Sequence, residues 1–284
     1  MVAGKETDGL LKADYHPFFI YRVEEMFRLI RLPVPPMRMP GHSLIFLKSG
    51  EANMNIGLEK YSISAGEILM VPAGQIFSFD QPDVNTGFIC NFPNEFLIDK
   101  NFQFQVDDFP FLDPLVFHRV KGLPFREFDF LFENIHQEYT ARGLQRSSIV
   151  KSWLLLILQK LKFESGNLIT KPDASLSGHF VKFKQLLAAS FKEHHLVSFY
   201  ADKMNMSPGH LNKVVRDASG KSPSLWIEEM LLLETKAMLA QTDFSIQQIA
   251  SSLGFLDQSY FGRFFKKHTG VSASAYREGS NNTK

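Results

Sequence analysis

Cysteine is almost absent from this chain: its 284 residues include only Cys90. An internal disulfide is therefore excluded, and a single cysteine fits a reducing compartment. Long apolar runs are absent too, since the nearest candidate, Trp153–Leu158, covers about six residues where a membrane span needs roughly 20. Residues 1–16 contain no hydrophobic signal core. We therefore expect a cytoplasmic protein without a membrane partner.

A strong excess of one charge is also absent, because 31 basic and 30 acidic residues give a net charge of +1. The two parts of the chain differ, however. Residues 171–284 contain 14 Lys+Arg and 10 Asp+Glu, a net charge of +4, whereas residues 1–170 contain 17 and 20, a net charge of −3. Only the C-terminal part is mildly suited to a polyanion. Phenylalanine is abundant, and its 28 copies favour thick aromatic cores.

The most informative stretch is Ser245–Tyr276. Ser245 can cap a first helix, with Gln248 completing a capping box. Gly254 can end that helix in a left-handed conformation, and Asp257 can cap a second helix. In the second helix, four aromatic residues are expected to pack inward: Tyr260, Phe261, Phe264 and Phe265. The residues expected to face outward are Gln258, Ser259, Gly262, Arg263, Lys266 and Lys267.

This pattern predicts a helix-turn-helix motif that places its second helix in the major groove of DNA. An exposed amide, hydroxyl and guanidinium supply the donors and acceptors that base edges require. Lys266 and Lys267 suit phosphates. The alternative is an ordinary helical hairpin with a solvated basic face.

A second, weaker copy of the motif comes earlier, at Val197–Gly220. Asn205 replaces the glycine of the turn and tolerates the left-handed conformation. Ser207 can cap the next helix, and Pro208 suits its first position. The copies align through Ala201 and Ala250, Leu211 and Phe261, Val215 and Phe265, and Gly220 and Gly270. The residues expected to face outward are Gly209, His210, Asn212, Lys213 and Arg216.

Between the copies, a helix is predicted from Ser222-Pro223 to about Gln241. Its roughly 19 residues span about 28 Å, and successive major-groove faces are about 34 Å apart. A helix of that length can hold two motifs on one side of a duplex. The repetition therefore favours DNA binding over the simple hairpin.

Short strands at roughly ten-residue intervals in residues 42–92 indicate a barrel or jelly roll, with a turn at Ser49–Ala52. Gly66, Pro72 and Gly74 resemble the second cupin motif, but Phe77 holds the position where cupins normally have a histidine. His42 is the only histidine in the region, whereas a metal site needs several ligands. We therefore expect no metal, no cofactor and no catalytic residues, and a cupin-type enzyme is a remote alternative.

A barrel without a metal can still bind a small effector in its mouth. The candidate pocket residues are Phe77, Phe79, Phe88 and Phe92, and ordinary core packing is the alternative for each. Two amphipathic helices are predicted at 123–142 and 147–163, and the second is apolar over much of its circumference. It can pack on the barrel and against a second subunit, or be buried within one subunit. The candidate dimerisation residues are Trp153, Leu154, Ile157 and Leu161.

The predicted fold is a two-domain α+β protein. Residues 1–164 form a cupin-like barrel with two following helices, the polar residues 165–178 form a linker, and residues 179–284 form an all-α domain in which two helix-turn-helix motifs are joined by a long helix.

Residues 180–277 resemble the DNA-binding domain of the AraC/XylS transcription regulators. The most specific matches are SIQQIASSLGF (245–255), DQSYFGRFFKKHTG (257–270) and AYR (275–277). Leu231 and Ala273 depart from the family pattern, where arginine and proline are common. Residues 42–163 resemble, more loosely, the family's sensor and dimerisation part. The resemblance implies that Gly209, Asn212, Lys213, Gln258, Ser259 and Arg263 lie nearest the bases.

The expected function is a sequence-specific, DNA-binding transcriptional regulator that is not an enzyme. Double-stranded DNA is the expected partner, and the resemblance implies contact with RNA polymerase. A small-molecule effector and a second copy of the chain are further expected partners. The main alternative is a constitutive DNA-binding regulator whose barrel is only a dimerisation scaffold.

Overall fold

The computed structural model describes residues 18–29, 34–79, 84–97, 109, 112, 118–165 and 178–281. The chain forms two compact units, one made of Met1–Val34 and Arg38–Thr170 and the other of Pro35–Met37 and Lys171–Lys284. The predicted α+β fold is confirmed, with an antiparallel sheet in the first unit and helices in the second. The predicted linker falls almost entirely outside the described residues, so the domain boundaries stay a prediction.

The first unit is built on an antiparallel sheet. In the described residues its strands are β1 (Phe19–Arg22), β2 (Val34–Arg38), β3 (His42–Ile56), β4 (Glu59–Ser64), β5 (Ile68–Val71), β6 (Ile76–Phe79), β7 (Asn85–Phe92) and β8 (His118–Val120). The order along the main path is β1-β7-β3-β5-β8, and β4 and β6 pair with β3 beside this path.

The longest strand, β3, serves two sets of partners. Its first part pairs with β5 and β7, so that Leu44 lies opposite both Met70 and Cys90. Its last part pairs with β4 and β6. The turn predicted at Ser49–Ala52 is wrong: the register shifts between Leu47 and Ser49, Gly50 has a φ of 76°, and the strand continues. A bulge of this kind bends a strand without ending it.

Helices accompany this sheet in the first unit. They are the short α1 (Val23–Leu29) and α2 (Asn94–Leu97) and the longer α3 (Phe125–Arg142) and α4 (Ser147–Ser165), with a 3₁₀ turn at Gly143–Arg146 between the last two. The Phe132 ring on α3 stacks on Phe46 of β3 and Phe88 of β7, with centroids 5.1 and 5.8 Å away. The aromatic core predicted from the phenylalanine content therefore lies between the sheet and α3.

Residues 178–281 of the second unit consist of helices and the turns between them. They are α5 (Gly178–Ser190), α6 (Val197–Lys203), α7 (Pro208–Ser219), α8 (Pro223–Gln241), α9 (Ile246–Ser252), α10 (Gln258–Thr269) and α11 (Ala273–Asn281). The long helix α8 begins and ends where it was predicted to, with Ser222 as its cap and Pro223 at its first position.

The internal repeat extends beyond the two predicted motifs. After α7, the Ser219 hydroxyl donates to the Val215 carbonyl and accepts from the Lys221 amide, and Thr269 makes the same two bonds after α10. Ser222 then caps α8, as Ser272 caps α11, each accepting an amide at 3.2 Å. The repeated unit is therefore three helices: α6 and α7 with the start of α8, and α9, α10 and α11.

Candidate nucleic-acid interface

Each motif turns at a residue in the left-handed conformation. Asn205 has a φ of 54° and Gly254 has a φ of 74°. The residue after each turn donates the same hydrogen bond, from Met206 to Ala201 and from Phe255 to Ala250, both at 3.0 Å. The predicted turn residues are therefore confirmed, and the two turns share one backbone geometry.

Polar side chains cap the helices as predicted. The Ser207 hydroxyl accepts the His210 amide at the start of α7. The Asp257 carboxylate accepts the amides of Ser259 and Tyr260, at 3.0 and 2.9 Å, at the start of α10. These two bonds favour the charged form and hold the pKa of the Asp257 carboxyl below its ordinary value. Ser245 and Gln248 form the predicted capping box on α9.

The second helix of each motif buries two residues one turn apart. These are Leu211 and Val215 on α7 and Phe261 and Phe265 on α10, all fully buried. Along the ten residues from 211 and from 261, buried, half-buried and exposed positions follow the same order. We therefore call α7 and α10 the first and second recognition helices, since they present equivalent faces.

The predicted outward-facing residues lie on these faces. Asn212 and Gly262 are half-buried, and the others are exposed: Gly209, His210, Lys213, Arg216, Gln258, Ser259, Arg263, Lys266 and Lys267. A Cβ atom added at Gly209 or Gly262 would meet no atom of the described residues within 4 Å. The face around both glycines is therefore open to a ligand.

Tyr260 does not pack inward, so the prediction for this residue is wrong. It is 56% exposed, and its ring centroid lies 5.9 Å from that of the buried Phe255. Adjacent helical residues point about 100° apart, so Tyr260 cannot share the inward direction of Phe261. Its counterpart His210 was predicted to face outward, and the alignment of the two copies was the signal that could have found Tyr260.

The two recognition helices differ in charge. The first carries Lys213, Arg216 and Asp217, a net charge of +1, whereas the second carries Arg263, Lys266 and Lys267, a net charge of +3 with histidine neutral. His268 is turned away from this face, with its Nε2 atom 3.6 Å from Glu228 Oε2 on α8. The positive potential that attracts phosphates is therefore stronger at the second helix.

The four predicted pocket residues form two pairs, one on β6 and one on β7. Phe77 and Phe79 contact each other on β6, with centroids 5.5 Å apart. Phe88 and Phe92 are fully buried in the core between the sheet and the helices. The effector pocket therefore stays a prediction.

The predicted dimerisation residues on α4 are core residues, apart from Trp153. Leu154 and Ile157 are 0% exposed and Leu161 is 2% exposed, so none of the three is available to a second subunit. They belong to the core between the sheet and the helices. Trp153 is half-buried, with its ring 6.2 Å from that of Phe130. The broad apolar circumference of α4 thus reflects burial within one unit.

His42 is a structural residue. Its Nδ1 atom accepts the Ala73 amide at 3.1 Å, and its Nε2–H donates to Asn94 Oδ1 at 2.6 Å. Burial lowers the pKa of this imidazole. Within the described ranges, no group of three or more His, Cys, Asp and Glu residues could hold a metal ion.

Comparison with known proteins decides the class. Residues 200–279 match the family model of a helix-turn-helix domain. The chain is 26% identical over 250 residues to the arabinose operon regulatory protein of Salmonella typhimurium, covering 86% of each protein. It is 35% identical over 83 residues to the arabinose operon regulatory protein of Escherichia coli, covering 29% of this chain and 28% of that protein. Its helix-turn-helix domain is of the AraC/XylS type.

A solved structure of ToxT from Vibrio cholerae is also similar, with 14% identity, a TM-score of 0.43, and coverage of 92% of this chain and 97% of ToxT. Together with the matching domain, these relatives identify the chain as a DNA-binding transcriptional regulator. Among the helices in the described ranges, none combines the length and the hydropathy that a membrane span requires.

Proposed function

We propose that this regulator binds a specific operator with both recognition helices in major grooves of one duplex. The observation that carries the proposal is the residue-by-residue equivalence of the two helices in exposure, from 211–220 and from 261–270. Two equivalent polar faces joined by the 19-residue helix α8 fit a duplex that presents successive grooves.

The residues of each face fall into two roles. The side chains that contact bases from the first helix are those of Asn212, Lys213 and His210, and Gly209 allows close approach. The side chains that contact bases from the second helix are those of Gln258, Ser259 and Arg263. Arg216, Lys266 and Lys267 contact phosphates, because they are exposed cations toward the C-terminal ends of the helices. Base contacts give sequence preference, whereas phosphate contacts give affinity that is independent of sequence.

The deciding experiment compares Arg263→Ala with Lys267→Ala on duplexes selected from random DNA by the unaltered protein. Arg263→Ala is expected to cost about 1–3 kcal/mol of binding free energy and to relax the preference at one base pair. Lys267→Ala is the matched control and should weaken all sequences alike. If Arg263→Ala weakened selected and random DNA equally, the guanidinium would be a phosphate contact.

The first unit is proposed to bind a small-molecule effector that changes the population of DNA-binding states, and the family resemblance supports contact with RNA polymerase. The half-buried Phe77 and the neighbouring Phe79 remain the candidate pocket residues. The burial of Phe88 and Phe92 favours the constitutive alternative, in which the barrel is only a dimerisation scaffold. A screen of metabolite pools by thermal shift decides between them, because an effector must stabilise the folded protein.

A homodimer is proposed through the outer face of α3 and α4, in place of the buried residues that the sequence indicated. Phe130, Leu156 and Phe163 are exposed there, and Trp153 lies beside Phe130. Burying such side chains on a second copy is favourable. Phe130→Glu with Phe163→Glu should yield a folded monomer by sedimentation, whereas Leu154→Glu should unfold the unit. An unchanged dimer in the first variant would exclude this face.

A further inference from the structure

The loop between α5 and α6 leads into the first motif but contacts the second. In this loop, the His195 Nε2–H donates to the Leu253 carbonyl at 2.9 Å. The His195 ring also lies against Phe255, with centroids 5.0 Å apart. Leu253 and Phe255 flank the turn of the second motif. One side chain ahead of the first motif therefore binds the turn of the second.

The backbone of this loop approaches the same turn closely. A Cβ atom added at Gly254 would lie 2.3 Å from the Lys192 carbonyl oxygen and 3.4 Å from His195 Nε2. Only glycine permits this contact, quite apart from its positive φ. Gly254 therefore has two functions: it ends α9 and it lets the loop dock against the turn.

The loop is also tied to the helix that joins the motifs. Lys192 Nζ lies 2.9 Å from Glu234 Oε1 on α8, and the Glu234 side chain is only 5% exposed. At the other end of the loop, the His194 carbonyl accepts the hydroxyl of the buried Tyr200 on α6. The loop therefore has contacts with the first motif, with α8 and with the second motif.

The contact made by His195 reaches the second recognition helix through Phe255. This buried ring lies against three aromatic residues of α10, with centroids between 5.2 and 5.9 Å away: Tyr260, Phe261 and Phe264. The Leu253 carbonyl is at the end of α9, where carbonyls lack partners within the helix. His195 supplies that partner and at the same time supports the ring on which α10 rests.

We infer that His195 is a positioning residue that holds the second recognition helix in a fixed orientation relative to the first. This inference rests on the proposed binding of both motifs to one duplex. Binding by a preorganised pair does not have to order the second motif once the first is bound. Without the contact, each motif keeps its own base contacts, but the pair loses part of its combined affinity and its preference for one spacing of the two half-sites.

The test uses the full-length protein and duplexes that it selects from random DNA. Three forms of each duplex are compared: the full site, sites with one half scrambled, and full sites with one or two base pairs inserted between the halves. His195→Asn should bind the full site on the order of tenfold more weakly and each half-site within about twofold of the unaltered protein. It should also bind the inserted sites almost as well as the full site.

Two further variants separate positioning from general damage. His195→Gln places an amide nitrogen where Nε2 lies and should restore both affinity and spacing preference, whereas the shorter Asn amide cannot reach Leu253. His194→Ala is the matched control, since the His194 ring stacks on Phe199 of α6 with centroids 3.6 Å apart, within the first motif. It should leave the spacing preference intact.

The outcomes are distinguishable. Equal weakening of full site and half-sites by His195→Asn, with unchanged spacing preference, would overturn the inference and leave His195 a residue of general stability. If the unaltered protein bound the full site no better than a half-site, binding by both motifs would fail, and the inference would fall with it. A spacing preference that is restored in His195→Gln but not in His195→Asn would support the inference. A defect in folding would not depend on the position of one nitrogen.

Discussion

The two helix-turn-helix motifs share one backbone geometry but differ in their buried side chains. The first recognition helix buries Leu211 and Val215, whereas the second buries Phe261 and Phe265 at the equivalent positions. Phe265 also packs against Tyr276 of α11, with centroids 5.6 Å apart. Aliphatic and aromatic cores thus support the same exposed face. The pattern of burial is what the two copies share, and the identity of the buried residue is free to vary.

The two turns differ in how strictly they restrict the residue type. Asn205 occupies the first turn, with its side chain exposed. The equivalent Gly254 faces the Lys192 carbonyl, which leaves no room for any side chain. A left-handed residue is needed in both turns, but glycine is required only where a second chain segment comes close. The loop before α6 is therefore what makes the second turn stricter than the first.

The largest expected effect is the loss of stability when a buried residue of either recognition helix is replaced. Phe265→Ala should lower the free energy of unfolding by about 3–5 kcal/mol, because a large cavity forms. Val215→Ala should cost less, about 1–3 kcal/mol, since fewer buried atoms are lost. Hydrogen exchange of the α7 and α10 amides measures both losses locally. Equal losses would show that the aromatic filling gives the second motif no additional stability.

The turns provide the next comparison. Gly254→Ala should cost about 2–5 kcal/mol, because a strained left-handed residue adds to a clash with the Lys192 carbonyl. Asn205→Ala is the matched control and should cost only the conformational part, about 1–2 kcal/mol. Urea unfolding gives both values. A loss at Gly254 no greater than that at Asn205 would contradict the close approach.

The charge difference should appear in the dependence of DNA binding on salt. Replacing Lys266 and Lys267 together by alanine should reduce the slope of log K against log salt by about 2, since each phosphate contact contributes about 0.9. Arg216→Ala in the first motif should reduce it by about 1. Titrations between roughly 50 and 200 mM salt measure the slopes. Similar reductions in the two variants would mean that only one of the two lysines contacts a phosphate.

The smallest effect concerns the two caps, because Asp257 ionises and Ser207 does not. The pKa of the Asp257 carboxyl is lowered in the folded chain by the amides of Ser259 and Tyr260. Its contribution to stability is therefore complete above the pKa of the unfolded chain and is lost as the pH falls through the lower, folded pKa. The amide shifts of Ser259 and Tyr260 should titrate below pH 3.8, the ordinary value.

Asp257→Ser, which copies the cap of the first motif, should abolish that titration. The His210 amide shift should show no titration in this pH range in either protein. A titration of Ser259 and Tyr260 that persisted in Asp257→Ser would assign it to another group.

Local features of the second unit could be predicted from the sequence because they depend on neighbours three or four residues apart. The capping box of Ser245, the turn residues and both ends of α8 belong to this class. The inward prediction for Tyr260 rests on its aromatic side chain. Whether a helical residue is exposed depends, however, on its angular position around the helix axis.

Features that depend on distant segments could not be predicted. The bulge that carries β3 through Ser49–Ala52 is set by pairing with β7, more than thirty residues away in sequence. The burial of Leu154 and Ile157 in the core of their own unit belongs to the same class, because nothing local in the sequence indicates it. The bond from His195 to Leu253 joins residues 58 positions apart, and no periodicity predicts it.

The fixed length of α8 has a consequence for how this chain can change over generations. One inserted residue would turn everything after it by about 100° and advance it by about 1.5 Å. In the proposed binding mode, the second recognition helix would then point away from its groove. Substitutions along α8 can accumulate as long as its buried side keeps its packing and the Glu234 pair with Lys192, but insertions and deletions there should be eliminated. We therefore expect relatives that share this binding mode to differ in the composition of this helix and to agree in its number of residues.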